Sequence, residues 1–157
     1  MTTPTPVTAL ARRWRLELDV SATEVPDWQL CPGVVDFSWT ADPNIEDSSE
    51  YEDGGWAGNT KTGQAFEIVC KFNRKATADS TAYSPVHERL RVAAFAWGEA
   101  SKIPVRWYDR TGLPEAYSGT VLVTWTPQGG EYTALDQVEV TLTGTGPLTE
   151  IANPAAA

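Results

Sequence analysis

Side chains with catalytic potential are few in this chain, and His87 is its only histidine. Ser84 stands three residues before it, a separation that could in principle pair a nucleophile with a general base. Ser84 is better explained as a helix N-cap, because Pro85 follows it at the first helical position. A helix N-terminus also disfavours the imidazolium form of a nearby histidine. We therefore expect no catalysis at this pair, and no spacing among the many carboxylates singles out a hydrolytic dyad.

Metal chemistry is only weakly indicated. No Cys or His spacing fits a zinc site. The segment that begins Asp42-Pro43-Asn44 resembles a calcium loop, but Asp47 stands where glycine is required and Asp53 where glutamate is required. We expect no cofactor, and whether these carboxylates bind divalent cations weakly stays open.

The two cysteines, Cys31 and Cys70, allow a disulfide only if their α-carbons come within about 7 Å. Cys70 alternates with Phe66, Ile68 and Phe72, a period typical of the buried face of a strand. This pattern favours a buried free thiol, although it leaves pairing with Cys31 open.

The segment from Asp42 to Trp56 is the most unusual part of the sequence, because it contains six acidic and no basic residues. Its charged members are Asp42, Glu46, Asp47, Glu50, Glu52 and Asp53. Residues 41–56 are predicted to form a loop, and a loop this long inside a compact domain is usually functional or disordered. Concentrated negative charge destabilises a fold by self-repulsion. The segment is therefore expected to meet a partner, the alternative being a solvated loop that aids solubility.

Composition narrows the class of protein. The 157 residues fit one domain, and seven Trp, five Tyr and four Phe supply large apolar side chains for its core. A formal net charge of −9 argues against nucleic-acid binding, which requires clustered Lys and Arg. No apolar run approaches the roughly 18 residues of a membrane span. The first residues lack the apolar centre of a signal peptide, so export by that route is not expected.

Elements that alternate apolar and polar residues dominate the remaining sequence. Such alternation predicts strands at segments beginning with Trp14, Val35, Phe66, Ile103 and Val121, and again at Val138. One helix is predicted at about residues 85–98, with an apolar stripe of Val86, Leu90, Ala93 and Trp97 and with Gly98 as C-cap. The predicted fold is mainly β, a sandwich or barrel with one flanking α-helix.

Domain organisation follows from the same patterns. Residues 1–9 are rich in Thr and Pro and are predicted to form an extended arm. Residues 10–146 form a single β-rich domain, and residues 147–157 form a second arm. Trp14, Trp39, Trp107 and Trp125 fall on the apolar phase of their strands and are predicted to be core. Trp28 and Trp56 are predicted to lie in loops, where a ring could meet a sugar or another protein.

The ordered set of these features resembles the major tail tube proteins of long-tailed, siphovirus-like bacteriophages. The resemblance covers most of residues 10–150 and rests on no single motif. Its segments are RWRLELD from Arg13, Trp28, GVVDFSW from Gly33, the acidic segment ending YEDGGW, Thr62-Gly63, Arg74-Lys75, and VEVTLTGTGPL from Val138.

The resemblance implies a structural subunit without enzymatic activity, six copies to a ring, and rings stacked into a hollow tube through which DNA passes into the host. Strands of all subunits would join into one barrel, and a long loop would reach the next ring. By position that stacking loop contains Asp42, Glu46, Asp47, Glu50, Tyr51, Glu52, Asp53 and Trp56. Its candidate basic partners are Arg12, Arg13, Arg15, Arg74 and Lys75.

Further expectations also rest on this resemblance. A conduit for DNA must not bind it, and a wall of carboxylates and hydroxyls would repel phosphate. The last strand offers such a candidate lumen face in Gln137, Glu139, Thr141 and Thr143. The implied partners are copies of the chain itself and the tape-measure, tail-tip and tail-terminator proteins, and the implied location is the virion tail, assembled in the host cytoplasm.

Two alternatives stay open. The chain could be a carbohydrate- or protein-binding β-sandwich, in which Trp28 or Trp56 would report a ligand. It could also be the tube subunit of a contractile or phage-derived injection device, because nothing in the sequence distinguishes contractile from non-contractile tails.

Overall fold

The computed structural model describes residues 3–21 and 23–156, and its architecture is mainly β. The strands are β1 (Trp14–Asp19), β2 (Trp28–Leu30), β3 (Val34–Asp47), β4 (Asn59–Asn73), β5 (Lys102–Asp109), β6 (Ala116–Pro127) and β7 (Gln137–Glu150). Helix α1 (Pro85–Phe95) joins β4 to β5. Short 3-10 helices occupy Ala11–Arg13, Tyr51–Asp53 and Gly98–Ser101.

All seven strands belong to one antiparallel sheet in the order β2-β1-β5-β6-β7-β4-β3. The sheet curls so strongly that its two ends face each other across the core. Trp14 of β1 and Phe37 of β3 have ring centroids 6.3 Å apart, and Trp39 of β3 lies 5.6 Å from Trp107 of β5. The predicted sandwich or barrel with a flanking helix is therefore confirmed.

The core is built from the inward-facing residues that the alternation predicted. Ile68, Cys70 and Phe72 of β4 are fully buried, as are Ile103, Val105 and Trp107 of β5 and Val140 and Leu142 of β7. Phe66 lies over two glycines that leave room for its ring. A Cβ at Gly144 would stand 2.5 Å from the ring, and one at Gly119 would stand 2.7 Å from it. The tryptophan prediction holds fully for Trp107, whereas Trp14, Trp39 and Trp125 are partly buried.

Helix α1 is the only α-helix in residues 3–21 and 23–156, and it ends three residues before the predicted Gly98. Ser84 occupies the N-cap position and Pro85 the first turn, but the Ser84 side chain makes no capping bond. Val86, Leu90 and Ala93 are buried as predicted. Trp97 is 91% exposed, against prediction. Ala96 adopts an extended backbone, which ends the helix and rotates Trp97 away from the buried stripe.

Both predicted domain ends can be compared with the structure. Residues 3–9 are exposed and form no regular element. The other end differs from the prediction, because β7 continues to Glu150 and residues 147–150 are strand. Beyond it, Asn153 is 7% exposed, and its amide donates to the carbonyl oxygens of Asp109 and Leu113. The predicted C-terminal arm is thus attached to the domain through the end of β7 and through Asn153, while most of its described residues are exposed.

Candidate self-assembly surfaces

The hairpin of β3 and β4 has an outer half that extends beyond the rest of the sheet. β4 pairs with β7 only over residues 67–73, whereas it pairs with β3 along nearly its whole length. Over residues 41–47 and 59–65, β3 and β4 therefore pair with each other and with no third strand in the described part of the chain. We call these residues the hairpin arm, and the connecting residues 48–58 the tip. At about 3.3 Å per residue the arm projects roughly 20 Å.

The arm corrects one prediction. Residues 41–56 were expected to be a loop, but residues 41–47 belong to β3 and only the tip is irregular. Asp42, Glu46 and Asp47 thus lie on a strand, which has a register shift between Asn44 and Ile45. Pro43 is accommodated because β3 is an edge strand of the sheet, the position where proline is tolerated.

The tip has a defined local structure in which several acidic residues bind its own backbone. The Asp53 carboxylate accepts from the Glu50 N–H at 2.8 Å, and Glu50 and Asp53 together form a capping box around the short helix. Gly54 follows with φ 64°, a left-handed conformation suited to glycine. The Asp47 carboxylate accepts from the Ser49 hydroxyl and N–H, which lowers the pKa of Asp47.

Two aromatic rings at the tip are almost completely exposed. Tyr51 is 103% and Trp56 83% exposed, and the nearby Ile45 of the arm is 56% exposed. Glu46, Glu50, Glu52 and Asp53 surround them and are exposed as well. The tip therefore presents apolar rings within a strongly acidic surface, a combination typical of a binding site rather than of a loop that only aids solubility.

The predicted basic partners divide into two groups. Arg13 is already paired with Asp109 at 3.4 Å and with Glu115 at 3.9 Å. Arg74 binds Glu88 at 2.6 Å, its side chain is only 7% exposed, and its guanidinium lies over the rings of Tyr83 and Trp125. Both therefore have structural roles within the subunit.

Arg12 and Arg15, in contrast, are exposed and form no salt bridge in the described part of the chain. They line a cavity of about 420 Å³ between β1 and the start of β3, together with Trp14, Val34 and Arg110, among others. We call this cavity the basic cleft. Lys75 is exposed and lies next to Gly33, another residue of its lining.

Arg110 was missed by sequence reasoning. It follows β5 in a turn, and nothing in its neighbours distinguishes it from an ordinary turn residue. Folding brings it to the cleft because its N–H donates to the carbonyl of Arg13 at 2.9 Å. It too is exposed and is absent from the ion pairs found among the described residues.

A buried network fixes this turn. Asp109, 1% exposed, accepts from the Thr111 N–H at 2.8 Å and also faces Arg13. Burial alone would raise the pKa of Asp109, but the hydrogen bonds from Thr111 and the nearby guanidinium groups lower it overall. Asn153 holds the same turn from the other side. The arginines are therefore presented by a rigid framework.

The candidate lumen residues share one polar face of four strands. Gln137, Glu139, Thr141 and Thr143 alternate with the buried Val138, Val140 and Leu142. Across the sheet they lie beside Lys71, Val69 and Glu67 of β4 and beside Thr126, Thr124 and Leu122 of β6. Asp36, Ser38 and Thr40 extend the face onto β3. The face is thus rich in hydroxyls, and the acidic Asp36, Glu67 and Glu139 outnumber Lys71.

His87 has a structural role. Its Nδ1 accepts from the Lys75 N–H at 3.2 Å, and its Nε2 bonds to the Pro32 carbonyl at 2.9 Å. The ring is fully buried and stacks on Phe72 with centroids 4.0 Å apart. Burial, together with Arg74 and Lys75, lowers the pKa of His87 despite its bond to Pro32. Neither ring nitrogen is available to activate Ser84.

Cys31 and Cys70 are both buried free thiols. A hydrogen bond with the neighbouring Cys70 thiol, together with burial, raises the pKa of the Cys31 thiol well above its ordinary value.

Residues 3–21 and 23–156 contain no cluster of three or more potential metal ligands among His, Cys, Asp and Glu. Within the same residues, no helix is long and apolar enough to cross a bilayer.

Trp28 is not in a loop as predicted but in β2, opposite Asp19 of β1. The Arg106 guanidinium lies 4.6 Å from the centre of its ring and also binds Glu17 through two nitrogens, at 2.8 and 2.6 Å. The ring face is therefore occupied by a neighbouring side chain. Trp56, by contrast, remains the exposed tryptophan of the tip.

Comparison with solved structures identifies the fold. The tail of an empty gene transfer agent particle, refined with C6 symmetry, contains a chain that matches with a TM-score of 0.68 and 14% identity, over 92% of this chain and 100% of the other. The SPP1 tail tube matches with a TM-score of 0.66 and 10% identity, over 93% and 81%. A chain in the baseplate of the anti-feeding prophage matches with a TM-score of 0.63 and 11% identity, over 97% and 98%.

These matches extend along almost the whole chain, so the fold is that of tail tube proteins. At such low identities the likeness concerns the fold alone. No protein-family model matches the sequence, and a search of curated proteins finds no significant relative.

Proposed function

We propose that the protein is the structural subunit of a phage-type tail tube, in which copies form six-membered rings that stack into a hollow conduit for DNA. The observation that carries this proposal is the hairpin arm combined with a tail-tube fold matched over more than nine-tenths of the chain. An isolated two-stranded hairpin is only marginally stable in water. An arm that no other element of its own subunit covers therefore favours a role in contacts between subunits.

The free edge of the sheet supports ring formation. β3 has 14 residues and pairs on one side only, with β4, whereas the opposite edge is the three-residue β2. A long unpaired edge tends to add a strand from another chain. In the proposed ring a strand of the neighbouring subunit covers the β3 edge, and the four-strand polar faces of the six subunits line a common channel.

The charge of the polar face suits passage of DNA. Protein contacts to phosphate give non-specific affinities of about 10⁻⁴–10⁻⁶ M even without sequence recognition. Asp36, Glu67 and Glu139 on this face, with a subunit net charge of −9, oppose such binding. We propose that Gln137, Glu139, Thr141 and Thr143 contribute to the lumen wall and that the subunit has no enzymatic role.

The proposed location is the virion tail, and the proposed partners beyond the chain itself are tape-measure, tail-tip and tail-terminator proteins. The fold does not decide between contractile and non-contractile systems, because a chain in the sheath and tube terminator of an extracellular contractile injection system also matches, with a TM-score of 0.57.

The direct test is electron microscopy of the purified full-length protein over a concentration series, with sedimentation velocity in parallel. Six-fold rings or hollow tubes are expected, and their fraction should rise with concentration. A protein that stays monomeric across the series and also binds a glycan, reported by Trp56 fluorescence, would instead establish the carbohydrate-binding alternative.

A further inference from the structure

We propose that the basic cleft of one subunit receives the acidic tip of a second copy, so that Arg12, Arg15 and Arg110 bind the carboxylates around Tyr51 and Trp56. This inference rests on the proposed function and names the residues through which successive rings would meet. It is carried by the charges of the two surfaces, by their apolar residues, and by their positions in the fold.

The charges of the two surfaces are complementary. The cleft carries three exposed guanidinium groups without a salt-bridge partner among the described residues, and Asp36 is the one carboxylate in its lining. The tip and the adjacent arm carry six carboxylates, three of which, Asp47, Glu50 and Asp53, bind local backbone groups. Arginine suits this role because its planar fork can bind a carboxylate through two hydrogen bonds.

The basic cleft also exposes apolar residues that could pack against the aromatic rings of the tip. Val34 and Val35 of the cleft are 38% and 52% exposed. A second cavity of about 280 Å³ shares Arg12 and Arg110 with the cleft and adds Leu10 and Leu113, which are 56% and 51% exposed. An apolar surface framed by arginines is a chemical match for two exposed aromatic rings framed by carboxylates, because such a contact buries the rings and pairs the charges around them.

The positions of the two surfaces explain why the occupant must be another copy. The cleft is lined by Val34 to Phe37 at the start of β3, and the tip begins after Asp47 at its end. Asp47 lies ten residues beyond Phe37, which corresponds to about 33 Å along an extended strand. A subunit therefore cannot place its own tip in its own cleft.

Two unlike surfaces at opposite ends of one strand produce a head-to-tail contact. Such heterologous contacts form a closed ring when the rotation between copies closes and an open stack when it does not. A contact along the direction of the arm, between the two ends of β3, favours the open stack. The direction of stacking is then the direction of the β3–β4 hairpin, which is the direction in which the arm projects.

A charge-reversal cycle tests the pairing. The cleft variant R12E/R110E reverses two arginines that form no ion pair within the subunit. The tip variant E46K/E52K leaves Glu50 and Asp53 in place, because they hold the local turn. The control E24K/E131K reverses two exposed glutamates far from either surface in sequence, and a thermal melt verifies that every variant folds.

Each reversed surface alone should raise the protein concentration needed for stacking at least ~10-fold, since like charges at an interface cost more than the roughly 1.4 kcal/mol that corresponds to this factor. The combined variant R12E/R110E/E46K/E52K should recover most of the loss. The control should stack like the wild type. Normal stacking of both reversed variants, or no recovery in the folded combined variant, would overturn the pairing while leaving the tube intact.

A cross-linking experiment separates this inference from the proposed function. E52C and R110C are mixed as two full-length variants and treated with a short bis-maleimide. The native cysteines are buried, so the wild type should not react. A heterodimer should form in this mixture and not in a mixture of E131C with R110C. Cross-linking without rings or tubes would support the tip–cleft contact and contradict the tube, whereas rings without cross-linking would contradict the contact alone.

Discussion

The two halves of the β3–β4 hairpin share one ladder of backbone hydrogen bonds but differ in everything that surrounds it. In the inner half, β4 also pairs with β7, and its residues Ile68, Cys70 and Phe72 are completely buried. In the outer half, the arm has no third strand, and its residues are exposed except for the half-buried Gly63. Because hairpin hydrogen bonds alone give marginal stability, burial stabilises the inner half, whereas the outer half has no comparable burial within the subunit.

Two isoleucines of this hairpin give the strongest test of the difference. Ile68→Ala in the inner half removes a fully buried side chain and should lower the free energy of unfolding by about 2–5 kcal/mol. Ile45→Ala in the arm, where the side chain is 56% exposed, should change it by less than about 0.5 kcal/mol. Urea unfolding followed by tryptophan fluorescence measures both, and equal effects would contradict the contrast.

The junction of the two halves can be tested at Gly144. Phe66 is the first buried residue of β4 after the arm, and a methyl group at Gly144 would meet its ring. Gly144→Ala should therefore destabilise the subunit by about 1–3 kcal/mol through overpacking. The control is Gly63→Ala in the arm, where the added methyl group would make only an ordinary contact, 3.5 Å from the Asn44 Cβ, on a backbone without a positive φ. A loss at Gly144 no larger than that at Gly63 would show that Phe66 is not seated as described.

The inner half should also give the subunit a pH dependence. His87 stacks on Phe72 of β4, and its pKa lies below the ordinary 6.5. Below about pH 6.5 the unfolded state therefore binds a proton that the folded state does not. The contribution of His87 to the free energy of unfolding should be constant above that pH and should decrease as the pH falls toward the pKa of the folded state. Unfolding measured between pH 8 and 5 should show this slope in the wild type and a flatter one in His87→Gln.

Two carboxylates also make the free energy of unfolding depend on pH, but only at lower pH than His87 does. Asp109 and Glu88 also have lowered pKa values, and the stability that they contribute is lost below their ordinary value near 4. A slope that is unchanged in His87→Gln between pH 8 and 5 would contradict the assignment to His87.

The smallest effect on stability is expected from the tip. Asp47 and Asn59 are paired across the arm, so an Asn-Gly turn can replace residues 48–58 without changing the register. The free energy of unfolding should change by less than about 0.5 kcal/mol, because the tip buries nothing. Stacking of rings should nevertheless be lost in electron micrographs. Stacking that continues in a folded, tipless variant would show that the tip is dispensable.

The inner half was predictable from sequence because burial leaves a period-two pattern. Ile68, Cys70 and Phe72 carry that pattern, and so do Val138, Val140 and Leu142. The arm was mistaken for a loop because a strand exposed on both faces has no such pattern, and Pro43 and Asn44 are common in turns. A strand of this kind can be recognised only from its pairing with residues 59–66.

The candidate surfaces were predictable only in part. The acidic residues of the tip are contiguous, so sequence alone located them. The basic cleft combines residues of β1, of the start of β3 and of the turn after β5, which are distant in sequence. Arg110 lies there because its backbone N–H donates to the carbonyl oxygen of Arg13. The sequence does not reveal that Arg13 and Arg74 form salt bridges within the subunit. Asp109, the partner of Arg13, is distant in sequence, and Glu88, the partner of Arg74, lies beyond a turn.

Hydrogen exchange of the free subunit and of the assembled protein tests most directly whether the arm is completed by a neighbouring copy. In the free subunit, amides of residues 67–73 should be strongly protected, whereas those of residues 41–47 and 59–65 should exchange within about tenfold of unstructured peptide. Assembly should protect the arm and leave the inner half almost unchanged. An arm that is already protected in the free subunit, or that gains no protection in rings or tubes, would contradict this account.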